Sequence, residues 1–470
     1  MVGSAKYITV IINMGFTILM ARLLTPEDYG IFAVVNVIAG YIMTVSNLGI
    51  GSAIIQKKDL SDDDISNIYV FSFGIGILLS TLMSALGFAC ALIYKESVYI
   101  ILCFLLAISV FFYVINIVPN ALLLRNGEYG KVAKRNIIVA VASMVVAICV
   151  AIAGGKYYAL IFQNIILMVT YYIWNIRYSN IKFNINYKGI KKSIQKIFSY
   201  ALYSFGGDTV SYFELSGPNM LIGPFLGSIF LGLYDKAYRL IDYPVGNLAG
   251  VLNTILHPLL KDYQDEPTVI IKKYEKIEKI FSIVAVYIST IFLVCAYEII
   301  VILFGNKWVD AVEVFRYMSI AIYPKMLLAT VNSVFSSLGN TKKLFVCQVR
   351  RAIVILICTG LGIMFGKISY IALFVSVGYW INLVVTIITL YKFVPLVSVK
   401  SIVCRLKYDI IYMFLTFIIY FILKPLDIVD NIYVSLLVKG LILSVVYLTY
   451  TFFSKNILEI KGILKSKAES

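Results

Sequence analysis

The sequence predicts an all-α membrane protein with about fourteen transmembrane helices. Three observations carry that reading. The chain is 61% hydrophobic and only 14% charged, where a soluble domain is about 45–50% apolar and about 25% charged. Apolar runs recur from end to end, each near the roughly 20 residues that cross a 30 Å hydrocarbon layer. They are continuously apolar, unlike the roughly 10-residue alternating strands of a membrane barrel. In lipid, closed backbone hydrogen bonding leaves helices as the remaining solution.

Apolar runs broken by charged or turn-rich segments place spans near 4–21, 29–49, 66–93, 98–123, 136–154, 158–175, 197–222, 229–259, 280–304, 311–337, 344–365, 369–390, 409–423 and 432–453. The first run, Ile8 to Met20, leads into Arg22 and Thr25-Pro26-Glu27-Asp28 without a small-residue cleavage site, so it reads as a span and not as a signal peptide.

The net charge of +16 would suggest nucleic acid in a soluble protein. Here Lys and Arg crowd the even-numbered loops and the C-terminal tail. The odd-numbered loops hold single cations such as Arg22, Lys95, Lys156 and Lys307. That asymmetry sets membrane orientation and predicts both termini in the cytoplasm. No nucleic-acid partner is expected. The densest basic cluster, Arg177, Lys182, Lys188, Lys191, Lys192 and Lys196, joins spans six and seven. It reads as a positive-inside loop or as a contact for anionic lipid headgroups. The cysteines, among them Cys90, Cys103 and Cys404, show no CxxC and no metal-ligand spacing, and read as packing residues.

A duplication with a period of about 203 residues organises the chain. Tyr29-Gly30-Ile31-Phe32 opens span two and Lys58-Asp59-Leu60-Ser61-Asp62-Asp63 follows it. Leu231-Gly232-Leu233-Tyr234 opens span eight and Lys261-Asp262-Tyr263-Gln264-Asp265-Glu266 follows that. Ala133-Lys134-Arg135 and Val349-Arg350-Arg351 each begin a fifth span. The predicted organisation is a six-helix bundle at 1–176, a basic cytoplasmic connection at 177–196, a second six-helix bundle at 197–390, and two further helices with a basic tail at 391–470. An even number of spans per copy makes the repeats parallel, an arrangement that in transporters places substrate between the halves. The recurrence of acidic residues at a helix entry favours N-terminal capping for Asp62-Asp63-Asp64 over a metal site.

Polar residues inside the spans are the candidate site. Span seven carries Tyr203, Ser204, Asp208, Ser211, Tyr212 and Glu214, and span eight Tyr234, Asp235, Lys236, Tyr238, Arg239 and Asp242. Arg316 and Lys325 in span ten and Lys439 in span fourteen are further intramembrane cations. A charge at the bilayer centre costs at least about 2.5–3.5 kcal/mol, so such groups face a cavity or a partner. Arg239, Lys236, Arg316 and Lys325 are candidates for an anionic diphosphate, and Tyr212 and Tyr234 for stacking on sugars. Asp235 and Arg239 stand at i, i+4, so a structural ion pair is the competing reading. Asp208 and Glu214 are candidate ion-coupling carboxylates; 240° apart around a helix, they cannot share one narrow face. Asp208 extends a polar stripe with Ser204, Ser211 and Tyr212, and reads as a coupling site or as a hydrogen-bonded wall residue. His257 reads as a helix-end residue, Gly362 and Gly366 as a packing GxxxG, and Pro119, Pro244 and Pro324 as kinks. Gly366-Lys367 is no phosphate loop, since Leu361 and Ile368 stand where Gly and Ser or Thr are required. No loop is long enough for a nucleotide-binding or glycosyltransferase domain, so the chain reads as a non-enzyme without cofactor beyond Na⁺ or H⁺ coupling.

Ala21-Arg22-Leu23-Leu24-Thr25-Pro26-Glu27-Asp28-Tyr29-Gly30 resembles the span one to span two signature of bacterial polysaccharide exporters of the oligosaccharide flippase type. Leu221 to Leu240 is similar to that family's span seven to eight segment, and Phe304-Gly305-Asn306-Lys307-Trp308 to its loop before span ten. The resemblance covers most of residues 10 to 390. It implies the multidrug/oligosaccharidyl-lipid/polysaccharide transporter fold: two six-helix bundles in a V, two extra helices, and a cavity open to one side at a time. It implies an inner-membrane location and an undecaprenyl-diphosphate oligosaccharide as cargo, with membrane lipid, a polymerase or glycosyltransferases as partners. It also implies a charged residue near 218 and a basic one at 224, where Pro218 and Pro224 flank the turn expected after span seven. A cation-coupled small-molecule exporter of the same fold is the second reading. A membrane polymerase or ligase is the third, and the short odd-numbered loops disfavour it.

The orientation has a direct test. Cys404 and cysteines introduced at Lys188 or Lys273 should resist a membrane-impermeant thiol reagent in intact cells, while one at Asn306 is labelled. Labelling at Lys188 from outside would invert the topology.

Overall fold

A computed structural model describes residues 2–57, 59–181, 189–261, 263, 266–338, 341–393, 399–424 and 431–453. They form the helices α1 (Val2–Leu23), α2 (Pro26–Asn47), α3 (Ile50–Gln56), α4 (Asp62–Tyr94), α5 (Val98–Arg125), α6 (Tyr129–Ile152), α7 (Tyr158–Tyr178), α8 (Ile190–Leu226) and α9 (Ser228–Lys261). There follow α10 (Pro267–Val294), α11 (Ala296–Phe304), α12 (Ala311–Ser319), α13 (Ile322–Ser337), α14 (Thr341–Met364), α15 (Ile368–Phe393), α16 (Val399–Leu423) and α17 (Ile432–Phe453). Each apolar run falls on one helix or on a broken pair, α2 with α3, α10 with α11 and α12 with α13. Among the described residues, nine helices are long and apolar enough to cross a membrane. The chain is a multi-pass helical membrane protein.

Local chemistry accounts for the helix ends. At Thr25 a capping box starts α2: the Asp28 amide donates to Thr25 Oγ1 at 3.2 Å, and the Thr25 amide to Asp28 Oδ2 at 2.9 Å. Pro26 occupies the first turn, where a missing N–H costs nothing. Ser61 and Asp64 repeat the device at α4, with Asp62, Asp63 and Asp64 in its first turn. The acidic triplet is a helix start. Its counterpart at α10 differs: Glu266 is the cap residue but makes no side-chain cap, and Pro267 follows it. Asp262 and Asp265 lie outside the described residues. So do Lys182 and Lys188 of the basic connection, and the side chains of His257 and Cys404.

Two sequence expectations are corrected. Pro218 and Pro224 lie inside α8, which runs on to Leu226; the turn is at Gly227, whose φ of 97° suits a residue without Cβ. The GxxxG divides its roles. A Cβ on Gly362 would meet the Ile371 backbone at 2.6 Å, so this glycine sets the α14–α15 approach, while Gly366 at φ 68° ends the turn after α14.

The described chain divides into two compact units, Met1–Gly232 and Leu233–Ser470. In the first, α5 is central and packs on α2, α3, α4 and α7. Helix α8, which the repeat assigns to the second copy, packs here on α2, α3 and α4. Its start is held by Asp64, which accepts from Ser193 Oγ at 2.8 Å and Lys196 Nζ at 2.5 Å. The first residues of α9 cross α2 at a backbone-to-backbone contact. A Cβ on Gly30 would meet the Ser228 carbonyl at 1.9 Å, and one on Gly232 would meet Pro26 O at 2.2 Å. In the second unit α10 packs on α11, α12, α13, α16 and α17, and α15 on α12, α13 and α14.

The break between α12 and α13 follows from Pro324. Proline has no N–H, so the carbonyl four residues back loses its helical donor. That carbonyl is Ile320 O, and Trp380 Nε1 donates to it at 3.2 Å. Ser376 Oγ donates to Tyr317 O at 2.8 Å and Ser289 Oγ to Ser319 O at 2.7 Å. Side chains from α10 and α15 thus close a break that lipid could not.

Each unit buries an arginine in amides near the start of its fifth repeat helix. Arg135 Nη1 donates to Asn120 Oδ1 at 2.7 Å and Asn175 Oδ1 at 2.6 Å, and its guanidinium lies 4.7 Å from the Tyr171 ring centre. Asn175 in turn donates to Asn116 Oδ1 at 2.8 Å. Arg351 Nη1 donates to Asn332 Oδ1 at 2.9 Å. Asn175→Ala leaves a buried guanidinium short of an acceptor and should lower stability by about 1–3 kcal/mol. A lower unfolding temperature in detergent checks this; an unchanged one would make Asn175 dispensable.

Candidate substrate site

On α9, positions 235, 238, 239 and 242 follow i, i+3, i+4, i+7 spacing and therefore share a face. Arg239 Nε donates to Asp235 Oδ2 at 2.7 Å. The arginine side chain is 53% exposed and its partner only 12%, so the buried carboxylate pins the stem while the guanidinium reaches outward. One turn on, Asp242 Oδ1 accepts from Lys325 Nζ at 2.7 Å. Lys325 follows Pro324 at the start of α13 and also donates to the Tyr238 hydroxyl at 3.0 Å. Its ammonium lies 4.2 Å from the Tyr238 ring centre and 5.3 Å from that of Tyr379 on α15. The two hydroxyls meet at 3.3 Å, and Tyr234 stacks on Tyr238 at 6.2 Å with planes 13° apart. The result is a row of alternating charges, Asp235, Arg239, Asp242 and Lys325, backed by tyrosine rings. An exposed arginine fork binds phosphate oxygens, and tyrosine faces stack on sugar rings.

Of the residues singled out in the sequence, this cluster unites Arg239, Lys325 and Tyr234. Lys236 is buried beside this face, its ammonium 5.9 Å from the Phe304 ring centre. Arg316 is elsewhere: Nε donates to Leu293 O at 3.4 Å, beside the α10–α11 break, and its guanidinium lies 4.6 Å from the Tyr420 ring on α16. Its position is that of a cap on a helix interruption. Tyr212 on α8 lies in the first unit, its hydroxyl donating to Val37 O on α2 and its ring tilted on Tyr41 at 5.8 Å. This tyrosine docks one helix on another. Asp208 and Glu214 are on the same helix, Asp208 exposed and Glu214 half-buried. The side chains of Tyr203 and Ser204 lie outside the described residues.

Lys439 is not part of the cluster either. Its ammonium meets Glu298 Oε1 at 2.5 Å with both side chains at most 1% exposed, and Ser435 Oγ donates to the same oxygen. Two groups escaped the sequence reading. Tyr379 lies in an apolar run with nothing to single it out. Asp409 is the first residue of the run 409–423 and reads there as a boundary, yet it is buried among hydroxyls.

A family model described as polysaccharide biosynthesis protein matches residues 19–313. A Klebsiella pneumoniae protein described as an uncharacterized membrane protein in the cps region is 21% identical over 339 residues, 69% of this chain and 67% of that protein. The Bacillus subtilis (strain 168) teichuronic acid biosynthesis protein TuaB is 21% identical over 309 residues, 65% of this chain and 63% of its own. The chain thus spans about two thirds of the length of these relatives. Among solved structures, the lipid II flippase MurJ in an inward closed conformation superposes with a TM-score of 0.74 at 15% identity, covering 97% of this chain and 99% of that one. An inward-facing multidrug resistance MATE family transporter gives 0.64 at 14% identity, covering 82% and 94%. Both are likenesses of fold.

The Glu298–Lys439 pair makes a prediction. Lys439→Met strands a buried carboxylate and should cost about 3–5 kcal/mol, with lower membrane abundance, and adding Glu298→Gln should recover most of the loss. Abundance unmoved by Lys439→Met would show that the pair does not hold α17 to α11.

Proposed function

The chain belongs to the polysaccharide biosynthesis protein family, and from that membership we propose that it is a flippase. It carries a polyprenyl-diphosphate-linked oligosaccharide from the cytoplasmic to the outer leaflet for the synthesis of a cell-surface polysaccharide. It works by transport and not by bond chemistry, in the inner membrane, with both termini in the cytoplasm. The supporting observation is the α9 face. Arg239 is held by Asp235 yet more than half exposed, and one turn along the same face Asp242 holds Lys325, whose ammonium lies over the Tyr238 and Tyr379 rings. That is the chemistry a diphosphate joined to a sugar requires: a fixed fork of donors for the phosphates, and flat faces with hydroxyls for the first residue of the glycan. The pairing with Asp235 and a role toward substrate are compatible, because the paired arginine side chain stays 53% exposed. Family relatives named for teichuronic acid and lipopolysaccharide biosynthesis support the same class of cargo.

Reconstituted protein should move a fluorescent polyprenyl-diphosphate oligosaccharide between leaflets, read as protection from a membrane-impermeant quencher. Arg239→Ala should slow this by about tenfold or more, the loss of one charge-assisted contact of roughly 1.5–3 kcal/mol, with abundance near wild type. Arg239→Lys should restore it only in part, since lysine lacks the planar fork. Loss of folded protein, restored by adding Asp235→Asn, would reassign the pair to structure. A wild type that moves small organic cations but no lipid-linked sugar would transfer the chain to the multidrug-type reading.

A further inference from the structure

We propose that Arg350, cradled by Thr386 and Thr389, holds the phosphate of an anionic phospholipid against the lipid-facing side of the α14–α15 hairpin. Two neighbouring cations part company here. Arg351 turns inward, is buried, and donates to Asn332. Arg350 is only half-buried. It stands four residues after Val346, three before Ile353 and seven before Ile357, all of them exposed, and those spacings put it on their stripe of α14. On α15 the exposed Ile381 and Val385 lead in steps of four to Thr389. Exposed apolar stripes of a membrane helix are the surfaces that meet acyl chains.

Arg350 Nη2 donates to Thr386 Oγ1 at 2.7 Å and Nη1 to Thr389 Oγ1 at 3.4 Å, while Nε has no acceptor among the described residues. Both acceptors are neutral. Between Glu313 and Asp409 the sequence contains no Asp or Glu, so neither α14 nor α15 supplies a counter-charge. The first copy is different: at the start of α6, Lys131 pairs with Glu128 at 2.8 Å. A cation beside hydrocarbon carries a large desolvation cost unless an anion compensates it. The anions that border such a surface are lipid phosphates, and an arginine fork binds them in pairs of hydrogen bonds.

The direction of the side chain fits a headgroup. A helical Cα–Cβ bond leans toward the N-terminus, so Arg350 reaches toward the start of α14, where Lys342 and Lys343 are exposed. Gly362 meets Ile371 near the turn and Arg350 meets Thr386 further along, so α15 runs antiparallel and ends beside that start, with the exposed Lys392 in its last turn. Lys343 precedes Arg350 by seven residues and Lys392 follows Thr389 by three, which continues the same two faces. Basic groups gathered between membrane helices at headgroup level are how anionic lipids are recognised. A free phosphate would satisfy the cations and leave the apolar stripes uncovered, whereas a phospholipid covers both. The bound lipid then belongs to the packing of the second unit and stabilises it by mass action, whether or not the chain carries a lipid-linked sugar.

The test titrates full-length protein in neutral detergent with phosphatidylglycerol or phosphatidylcholine of identical chains. Bound lipid is counted by native mass spectrometry, and the unfolding temperature is followed in parallel. Wild type should retain its tightest phosphatidylglycerol about tenfold or more better than phosphatidylcholine, the size of one charge-assisted contact, and should unfold at a higher temperature with it. Arg350→Gln should lose that preference and that stabilisation, Arg350→Lys should keep part of both, and Thr386→Val should weaken binding less. Equal retention of the two lipids by wild type, or undiminished phosphatidylglycerol affinity in Arg350→Gln, overturns the site. Displacement of the lipid by inorganic phosphate at equal concentration would show that phosphate alone is read, and displacement by a short-chain polyprenyl diphosphate would give Arg350 to the cargo; either overturns the phospholipid assignment. If Arg350→Gln does not elute as a single species, unchanged affinity in both Thr386→Val and Lys343→Gln overturns it. No lipid crosses a bilayer in these measurements, so a failed flipping assay leaves them standing, and failed binding leaves the flippase reading standing.

Discussion

Hydrocarbon offers no hydrogen bond to a stray carbonyl, and the second unit is arranged around that constraint. Proline at position 324 removes one donor from the helix, and the chain answers with Trp380, Ser376 and Ser289, each bonded to a carbonyl of the last turn of α12. Because those donors come from α10 and α15, the break is held between two neighbours. Its position is therefore fixed, and so are the directions of the side chains on either side of it. Tyr323 and Lys325 owe their opposite assignments, toward Asp409 and toward Asp242, to this one interruption. Arg316 serves a similar end beside the α10–α11 break, which is why a cation in an apolar run turns out to belong to the scaffold.

Buried charge in this protein is managed in two ways. Lys439 and Glu298 neutralise each other and fasten α17 to α11. Arg135 is instead dispersed over the amide oxygens of Asn120, Asn136 and Asn175 and over an aromatic face. Among the described residues, the second solution keeps a positive charge inside the first unit with amide oxygens as its acceptors, and it tolerates burial because an arginine has five donors to share. Arg351 is treated alike in the second unit, with Asn332 as its amide acceptor.

Much of this architecture was legible in the residues. Apolar length gives the helices, since a run of twenty such residues has few other fates. The Thr25 and Ser61 capping boxes follow from four-residue patterns, because their bonds are local. What the sequence concealed depends on long-range packing. Tyr212 and Tyr238 are indistinguishable as tyrosines beside polar residues, yet one docks α8 on α2 and the other joins the charged row. Lys236 and Arg239 are three residues apart, yet the first is buried near the Phe304 ring while the second stays more than half exposed. Pro218 and Pro224 suggest a turn, but α8 absorbs both and waits for Gly227. Asp409 stands at the edge of an apolar run, where a carboxylate normally meets water, and only folding reveals the hydroxyls around it.

The crossing of α2 and α9 carries an implication about ancestry. Gly30 and Gly232 occupy equivalent places in the two copies of the repeated motif, and each approaches backbone contributed by the other copy. A surface that touches its own duplicate is what a twofold axis generates between identical subunits. A half-length precursor pairing with a second molecule of itself would have formed this contact from a single gene, with one glycine serving both sides. Fusion would then have freed the two positions to change separately, but in this fold a methyl group at either would still meet backbone. On that history the steric requirement would outlive the symmetry that created it, each glycine vetoing change at its own site.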